Sequence, residues 1–217
     1  MSVRVFDQQA EYYDRWYDEP AGRLAFEIEL RAIRPMLSSL PEPWLEVGVG
    51  TGRFAQALGI KTGVDPAARM LELAGRRGIE TIRATAESLP FASGAFGTVF
   101  LLTTWEFLSQ PEAALREIGR VLKPEGVLVN AYLDRDGKWG RSYIAKAEAG
   151  HPIFSCARFY SYEEVVRLTE GCGFRIEQTV STLFQGPDEI NELEEPKPGY
   201  QPGASFVVLV ARKGFAP

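Results

Sequence analysis

A cluster of glycines directly after an apolar run is the strongest chemical signal in the sequence. The run WLEVGV covers residues 44–49, and the cluster GVGTG covers residues 48–52. Glycines permit a tight turn and let a ligand approach the backbone closely. A dinucleotide fingerprint needs a third glycine, and Arg53 stands where it would fall. The shorter pattern favours a nucleoside with a short amino-acid tail, although a purely structural turn between a strand and a helix would also explain it.

A carboxylate follows the next predicted strand. That strand is TGVD, residues 62–65, so Asp65 stands at its carboxyl end. An acid in this position can accept hydrogen bonds from the ribose hydroxyls of either cofactor type. The glycine cluster and Asp65 together predict a nucleoside-binding crevice at the ends of two neighbouring strands.

Alternating apolar segments supply the elements that would position this crevice. Short apolar runs predict strands, and apolar residues at helical spacing predict the helices between them. The predicted strands cover residues 44–49, 62–65, 80–84, 98–103, 126–133, 175–183 and 205–211. We therefore predict an α/β fold: a doubly wound sheet of about seven strands, mostly parallel with an antiparallel last strand, with helices on both faces.

The composition fits a globular protein and argues against several classes. Hydrophobic residues make up 45% and charged residues 24%, so we interpret residues 1–217 as a single domain with a helical N-terminal segment over 1–43. The net charge of -5 argues against a nucleic-acid partner. One histidine and two cysteines argue against a metal site. The chain has no signal-peptide run and no stretch of about 18 apolar residues, so we expect a cytoplasmic protein without a membrane partner.

Four segments, in this order, resemble class I S-adenosylmethionine (SAM)-dependent methyltransferases: LEVGVGTGRFAQAL, GVDPAARML, AESLPFASGAFGTVF and ALREIGRVLKPEGVLV. Residues 44–133 are similar to the methyltransferase type 11 branch, which includes the ubiquinone and menaquinone C-methyltransferases. The N-terminal FDQQAEYYDRW resembles the segment that precedes the domain in that branch. The resemblance implies a Rossmann-like fold and SAM as the cofactor, with S-adenosylhomocysteine as its product.

The resemblance implies contacts to the methionyl end of SAM. Glu46 corresponds to the acid that reaches the methionine ammonium. Gly48 and Gly50 would let the methionyl tail lie against the backbone, and the carbonyl of Thr103 would face the ammonium. Tyr13 corresponds to an aromatic residue that covers this end of the cofactor.

The resemblance also implies contacts to the adenosine. Asp65 would bind both ribose hydroxyls, and Pro66 and Met70 would line one side of the adenine. Ala86 and Glu87 correspond to the pair that recognises the adenine edge, through a backbone N–H and a carboxylate.

Some of these residues have a structural alternative. Met70 has the helical spacing of a core residue, and Glu87 could cap a helix. Tyr12 could take the place of Tyr13.

Methyl transfer by in-line displacement at the sulfonium methyl needs alignment and a dry pocket more than a dedicated catalytic group. We therefore predict no catalytic residue. His151 is the only side chain that titrates near neutrality without a perturbing environment, but its polar surroundings indicate a surface position. Glu106 follows the fourth strand, where it lies either near the methyl group or in solvent.

Aromatic residues indicate where a small, apolar or aromatic acceptor would bind. Trp105 and Phe107 follow the fourth strand, and the segment 138–162 contributes Tyr143 and Phe159. This segment is interpreted as a lid over the acceptor or, equally, as a satellite core under a long loop. A SAM-binding module without activity and a nicotinamide-dependent oxidoreductase are the alternative functions.

Overall fold

The computed structural model describes residues 2–214, so Met1 and residues 215–217 of the predicted domain lie outside the described part. The helices are α1 (Ser2–Trp16), α2 (Pro20–Ile33), α3 (Arg53–Leu58), α4 (Ala68–Arg76), α5 (Pro111–Val121), α6 (Lys138–Glu148) and α7 (Tyr162–Gly171). The strands are β1 (Trp44–Val47), β2 (Thr62–Asp65), β3 (Glu80–Arg83), β4 (Phe96–Leu102), β5 (Leu122–Leu133), β6 (Phe174–Thr182), β7 (Lys197–Pro198) and β8 (Phe206–Lys213).

The strands form one eight-stranded sheet in the order β3-β2-β1-β4-β5-β8-β6-β7. Strands β1 to β5 pair in parallel, and β8 is antiparallel to both β5 and β6. The predicted α/β fold with an antiparallel last strand is confirmed. The additional strand, β7, has two residues and pairs antiparallel with β6 at the edge of the sheet. It was not predicted because two residues, one of them proline, give no periodic signal.

Apolar side chains alternate between the two faces of the sheet and form a core on each. On one face, Phe100 of β4 belongs to the cluster that contains Ile28 of α2 and Phe54 of α3. On the other face, Leu101 belongs to the cluster that contains Leu115 of α5. Since successive side chains of a strand point to opposite faces, one apolar run serves both layers.

The N-terminal segment contains two helices, and the second one begins and ends four residues earlier than the apolar spacing predicts. That spacing predicts one helix over 24–37, whereas α2 ends at Ile33 and a 3-10 helix covers Arg34–Ser39. Pro35 lies in this second part, and its missing N–H removes one bond of an α-helical ladder. Among residues 2–214, no helix combines the length and the apolar character needed to cross a membrane.

Candidate active site

A cavity opens at the carboxyl ends of β1, β2 and β4, and it encloses about 1060 Å³ of space that is partly open to solvent. This edge is where the strand order reverses, between β1 and β4, and open α/β sheets bind their ligands there. The structure brings every predicted cofactor residue to this cofactor cavity: Tyr13, Glu46, Gly48, Gly50, Asp65, Pro66, Met70, Ala86, Glu87 and Thr103.

The glycine loop forms the floor of the cofactor cavity. Gly48 and Gly50 have φ angles of 75° and 51°, in the left-handed region that favours glycine. A Cβ atom at Gly48 would collide with the side chain of Thr104, whereas a Cβ at Gly50 would meet no atom within 4 Å. The backbone at Gly50 therefore faces open space, as a ligand tail lying against it requires.

The Glu46 carboxyl group is buried in this cavity without a full set of partners. Its side chain lies at the middle of β1, the residue is 1% exposed, and its Oε2 atom has no hydrogen-bond partner among the described residues. Burial raises the pKa of Glu46 well above its usual value, and the nearby Asp65 adds to this rise. A buried carboxyl with an unpaired oxygen suits a cationic group such as the ammonium of SAM.

Asp65 is held in place by the backbone. Its Oδ2 accepts a hydrogen bond from Gly50 N at 3.1 Å, and its Oδ1 accepts one from Ala67 N at 2.8 Å. Burial raises the pKa of Asp65 to about 6, and these two hydrogen bonds oppose the rise. Each carboxylate oxygen keeps acceptor capacity, so a fixed Asp65 can still accept bonds from ribose hydroxyls.

The predicted adenine region is lined by the apolar side chain of Met70 and the carboxylate of Glu87. Met70 is 1% exposed and packs with Ala67, so it is both a core residue and a wall of the cavity. Glu87 accepts hydrogen bonds from Ser109 Oγ at 2.8 Å and from Gln110 N at 3.3 Å. Burial would raise the pKa of Glu87, but these bonds hold it below its usual value.

Helix α1 covers the cofactor cavity through ion pairs that the sequence analysis did not identify. Asp14 accepts hydrogen bonds from Arg53 and from Arg77, both at 2.9 Å. Asp18, one turn further along, pairs with Arg53 at 2.8 Å. The available signal was the i, i+4 spacing of these acids, which puts both on one face of a helix.

A second cavity adjoins the first and contains about 880 Å³ of space that is partly open to solvent. Tyr13, Tyr17, Thr103 and Phe107 line both cavities, so the two share a wall. We call the second one the acceptor cavity.

Aromatic residues dominate the acceptor cavity, and three of the four predicted acceptor residues line it. These are Phe107, Tyr143 and Phe159. Helix α6 and the residues after it form one wall, so segment 138–162 lies against this cavity. Tyr143 stacks on Phe154 with ring centroids 3.9 Å apart.

The structure does not bring Trp105, the fourth predicted acceptor residue, to either cavity. Trp105 begins the 3-10 helix Trp105–Phe107, and its side chain points into the core, where it is fully buried. Its ring lies 6.0 Å from that of Tyr160, edge to face. Proximity in the chain to Thr103 suggested a contact, but the turn after β4 directs Trp105 away and Phe107 towards the cavities.

Two buried carboxyls and a histidine also line the acceptor cavity. Glu29 and Glu106 are 5% and 3% exposed. Burial raises the pKa of Glu29 to about 8, with Glu106 adding to the rise, and burial raises the pKa of Glu106 to about 7. His151 packs its ring against Phe154, and burial and then Lys146 lower its pKa.

Glu29 was not predicted as a site residue. His151, which we expected at the surface, is partly buried and lines the acceptor cavity. The signal for Glu29 is a charge on the apolar face of α2, four residues after Ala25 and four before Ile33, both of which are buried.

Thr103 marks the junction of the two cavities. Its φ angle of 48° is unusual for a β-branched residue. Its N–H donates to Ala131 O at 2.8 Å, which fixes the backbone in this conformation. Such backbone strain, of about 1–3 kcal/mol, is concentrated at functional sites.

The fold and these cavities define a class of SAM-binding proteins, and comparison with known proteins agrees. The family model described as "Methyltransferase domain" matches residues 45–130. A solved structure of a SAM-dependent methyltransferase from Thermotoga maritima, described as a possible histamine N-methyltransferase, is 38% identical. That likeness covers 98% of this chain and 100% of that chain, with a TM-score of 0.90.

Two further relatives extend the comparison. An uncharacterised protein of Mycobacterium tuberculosis is 40% identical over 205 residues, covering 94% of this chain and 72% of that protein. A demethylmenaquinone methyltransferase of Thermus thermophilus is 35% identical over 129 residues, covering 52% of this chain and 59% of that protein. The chain belongs to the SAM-dependent methyltransferase family, and its cofactor is SAM.

Proposed function

We propose that the protein transfers the methyl group of SAM to a small, apolar or aromatic acceptor that binds in the acceptor cavity. The observation that carries this proposal is the shared wall of the two cavities, formed by Tyr13, Tyr17, Thr103 and Phe107. Because these residues line both cavities, a methyl donor in the cofactor cavity and a molecule in the acceptor cavity can meet at Thr103.

SAM supplies an activated methyl group on a sulfonium. This chain therefore has to bind the cofactor and the acceptor, orient them and exclude water. In the proposed arrangement the free oxygen of Glu46 binds the methionine ammonium, and Asp65 binds the ribose. With both ends of the cofactor fixed, its methyl group is directed at the junction. Alignment of this kind converts a bimolecular displacement into an effectively unimolecular step. The aromatic walls keep water from the sulfonium.

Segment 138–162 would act as the lid of the acceptor cavity. Trp139 and Tyr143 of α6 are buried and face the cavity, whereas Lys146 is exposed at its edge. Opening this segment would admit the acceptor without disturbing the glycine loop.

A screen of small acceptors with methyl-labelled SAM tests the proposal. The panel contains phenols, thiols, enolisable ketones and aromatic amines, and it includes histamine because of the Thermotoga relative. We expect transfer to at least one planar small molecule, and transfer lowered at least tenfold by Tyr143→Ala at unchanged SAM affinity. Binding of SAM without transfer to any member, or transfer only to RNA, DNA or a protein, contradicts the proposal.

A further inference from the structure

Glu29 is a buried acidic residue whose position is not explained by its packing. It lies on the apolar face of α2, which packs on β6 and β8, and it is 5% exposed. Within residues 2–214, none of the hydrogen bonds goes to its carboxyl group, whose only surroundings of note are the acceptor cavity and the nearby charge of Glu106. Removing a carboxylate from water without a partner costs several kcal/mol or keeps it protonated. A leucine would pack in the same place without this cost.

Glu106 presents a second incompletely paired carboxyl to the same cavity. Its Oε1 accepts a hydrogen bond from Leu133 N at 2.5 Å, which fixes the side chain. Its Oε2 is buried and has no hydrogen-bond partner among the described residues. The residue stands three positions after Thr103, on the segment that borders the junction with the cofactor cavity.

We propose that Glu29 and Glu106 make the acceptor cavity a site for a small amine, which binds as its ammonium ion between them. This inference rests on the proposed function and adds the chemical class of the acceptor. A cation supplies the charge and the hydrogen-bond donors that both carboxyls lack. The surrounding rings favour the same ligand, because aromatic faces attract ammonium ions. A neutral aromatic acceptor would leave both carboxyls unpaired.

Glu106 is the group that takes the proton in this arrangement. An ammonium has no free electron pair, so one N–H bond must first break, and its proton goes to Oε2 of Glu106. The nitrogen lone pair then forms the N–C bond with the methyl carbon as the C–S bond breaks and its electron pair stays on sulfur. The product leaves as a methylammonium ion, and Glu106 returns its proton to water. Glu29 acts as the anchor that holds the ammonium.

Four other groups that line the cavity have pKa values shifted towards their neutral forms. Burial raises the pKa of Tyr13 to about 12, and it raises those of Tyr17 and Tyr143 well above the usual value. Burial, and then the charge of Lys146, lower the pKa of His151. The groups that face the carboxyl pair are Tyr12, Tyr13, Tyr17, Tyr143, Lys146 and His151.

If the acceptor cavity binds an ammonium ion, binding releases a proton. A purely apolar cavity would release none. At pH 6.5 the unliganded Glu29 carries a proton, because its pKa is about 8. An ammonium favours the ionised carboxyl, so binding must expel a proton to the solvent. A neutral ligand leaves the carboxyls protonated and expels none.

Titration calorimetry tests this with the protein saturated with S-adenosylhomocysteine, which prevents turnover. The probes are 2-phenylethylamine and its neutral counterpart 2-phenylethanol, at pH 6.5 in two buffers of different ionisation enthalpy. We expect the amine to bind at least about tenfold more tightly and to release a proton. Glu29→Gln should lose at least about tenfold in amine affinity, whereas Glu170→Gln, an exposed acid on α7, should change nothing.

Separate outcomes distinguish this inference from the proposed function. Equal affinity for the two probes, or amine binding without proton release, overturns the amine site while leaving methyl transfer to another acceptor intact. Amine binding with proton release but no methyl transfer supports the site and contradicts the proposed function. If Glu29→Gln fails to fold, the comparison of amine and alcohol binding to the wild-type protein still tests the amine site.

Discussion

The Nε atom of Arg53 donates a hydrogen bond to the Asp14 carboxylate at 2.9 Å, and this contact joins α1 to the helix that follows the glycine loop. Arg53 occupies the position of the third glycine in a dinucleotide fingerprint. The same side chain that breaks that pattern therefore holds the helix that covers the cofactor cavity.

Breaking this contact should weaken cofactor binding more than it destabilises the protein. Asp14→Asn removes the charge that pairs with both Arg53 and Arg77, so α1 should open more often and SAM affinity should fall about three- to tenfold. Asp18→Asn is the matched control, because Asp18 is 64% exposed and such pairs contribute little. Calorimetry with SAM at low and high salt measures both, and equal effects of the two variants contradict the assignment.

The Asp14 pair should also appear in acid stability. Burial would raise the pKa of Asp14, but its hydrogen bonds, first with Arg53, lower it to about 2 from an ordinary value of 3.8. Because the folded pKa lies below the unfolded one, its contribution is present above about pH 4 and is lost as pH falls towards 2. Melting temperatures of wild type and Asp14→Asn should therefore converge between pH 4 and 2.

Glu46 should recognise only the methionyl part of the cofactor. We expect Glu46→Gln to weaken S-adenosylhomocysteine binding by about tenfold or more, because the ammonium loses a charged partner. Binding of 5′-methylthioadenosine, which lacks the amino-acid group, should stay unchanged. The same variant should melt at a higher temperature without ligand, since it removes a buried, unpaired carboxyl. Equal losses of affinity for the two ligands would contradict a contact between Glu46 and the methionine ammonium.

Asp65 should make SAM affinity depend on pH. The ribose hydroxyls need the ionised carboxylate, and the pKa of Asp65 is about 6 in the free protein. Affinity should therefore fall below pH 6, by up to about tenfold per pH unit from this group. Asp65→Asn should bind at least about tenfold more weakly at pH 7 and show a shallower pH dependence, with any remaining slope due to Glu46. Parallel pH profiles for the two proteins contradict the ribose assignment.

Substitutions of Tyr143 and Trp105 should have different effects: the first should lower activity, and the second should lower stability. Tyr143→Ala removes a wall of the acceptor cavity, so turnover should fall at unchanged SAM affinity. Trp105→Ala leaves a hole in the core and should cost about 3–5 kcal/mol of unfolding free energy, with normal activity per folded molecule. Thermal melts alongside single-turnover rates measure both, and loss of turnover in folded Trp105→Ala would restore its role at the acceptor.

The parts of the molecule that could be predicted from sequence are those set by local patterns. The glycine cluster and Asp65 lie directly after buried strands, so the sheet alone brings them together. Glu29 could not be assigned, because its place depends on how α2 packs against the sheet. Trp105 and Phe107 are two residues apart, and only the geometry of one 3-10 turn decides which of them reaches a cavity.

The insertion of β8 between β5 and β6 has a consequence for how the protein folds. Val127 pairs with Arg212 across the sheet, so a central part of the hydrogen-bonded ladder joins segments far apart in the chain. Until β8 is available, β6 has only the two-residue β7 beside it. Contacts of such long sequence separation slow folding. A nascent chain whose β8 is still inside the ribosome should therefore expose the apolar edge of β5, where chaperones and aggregation compete with folding.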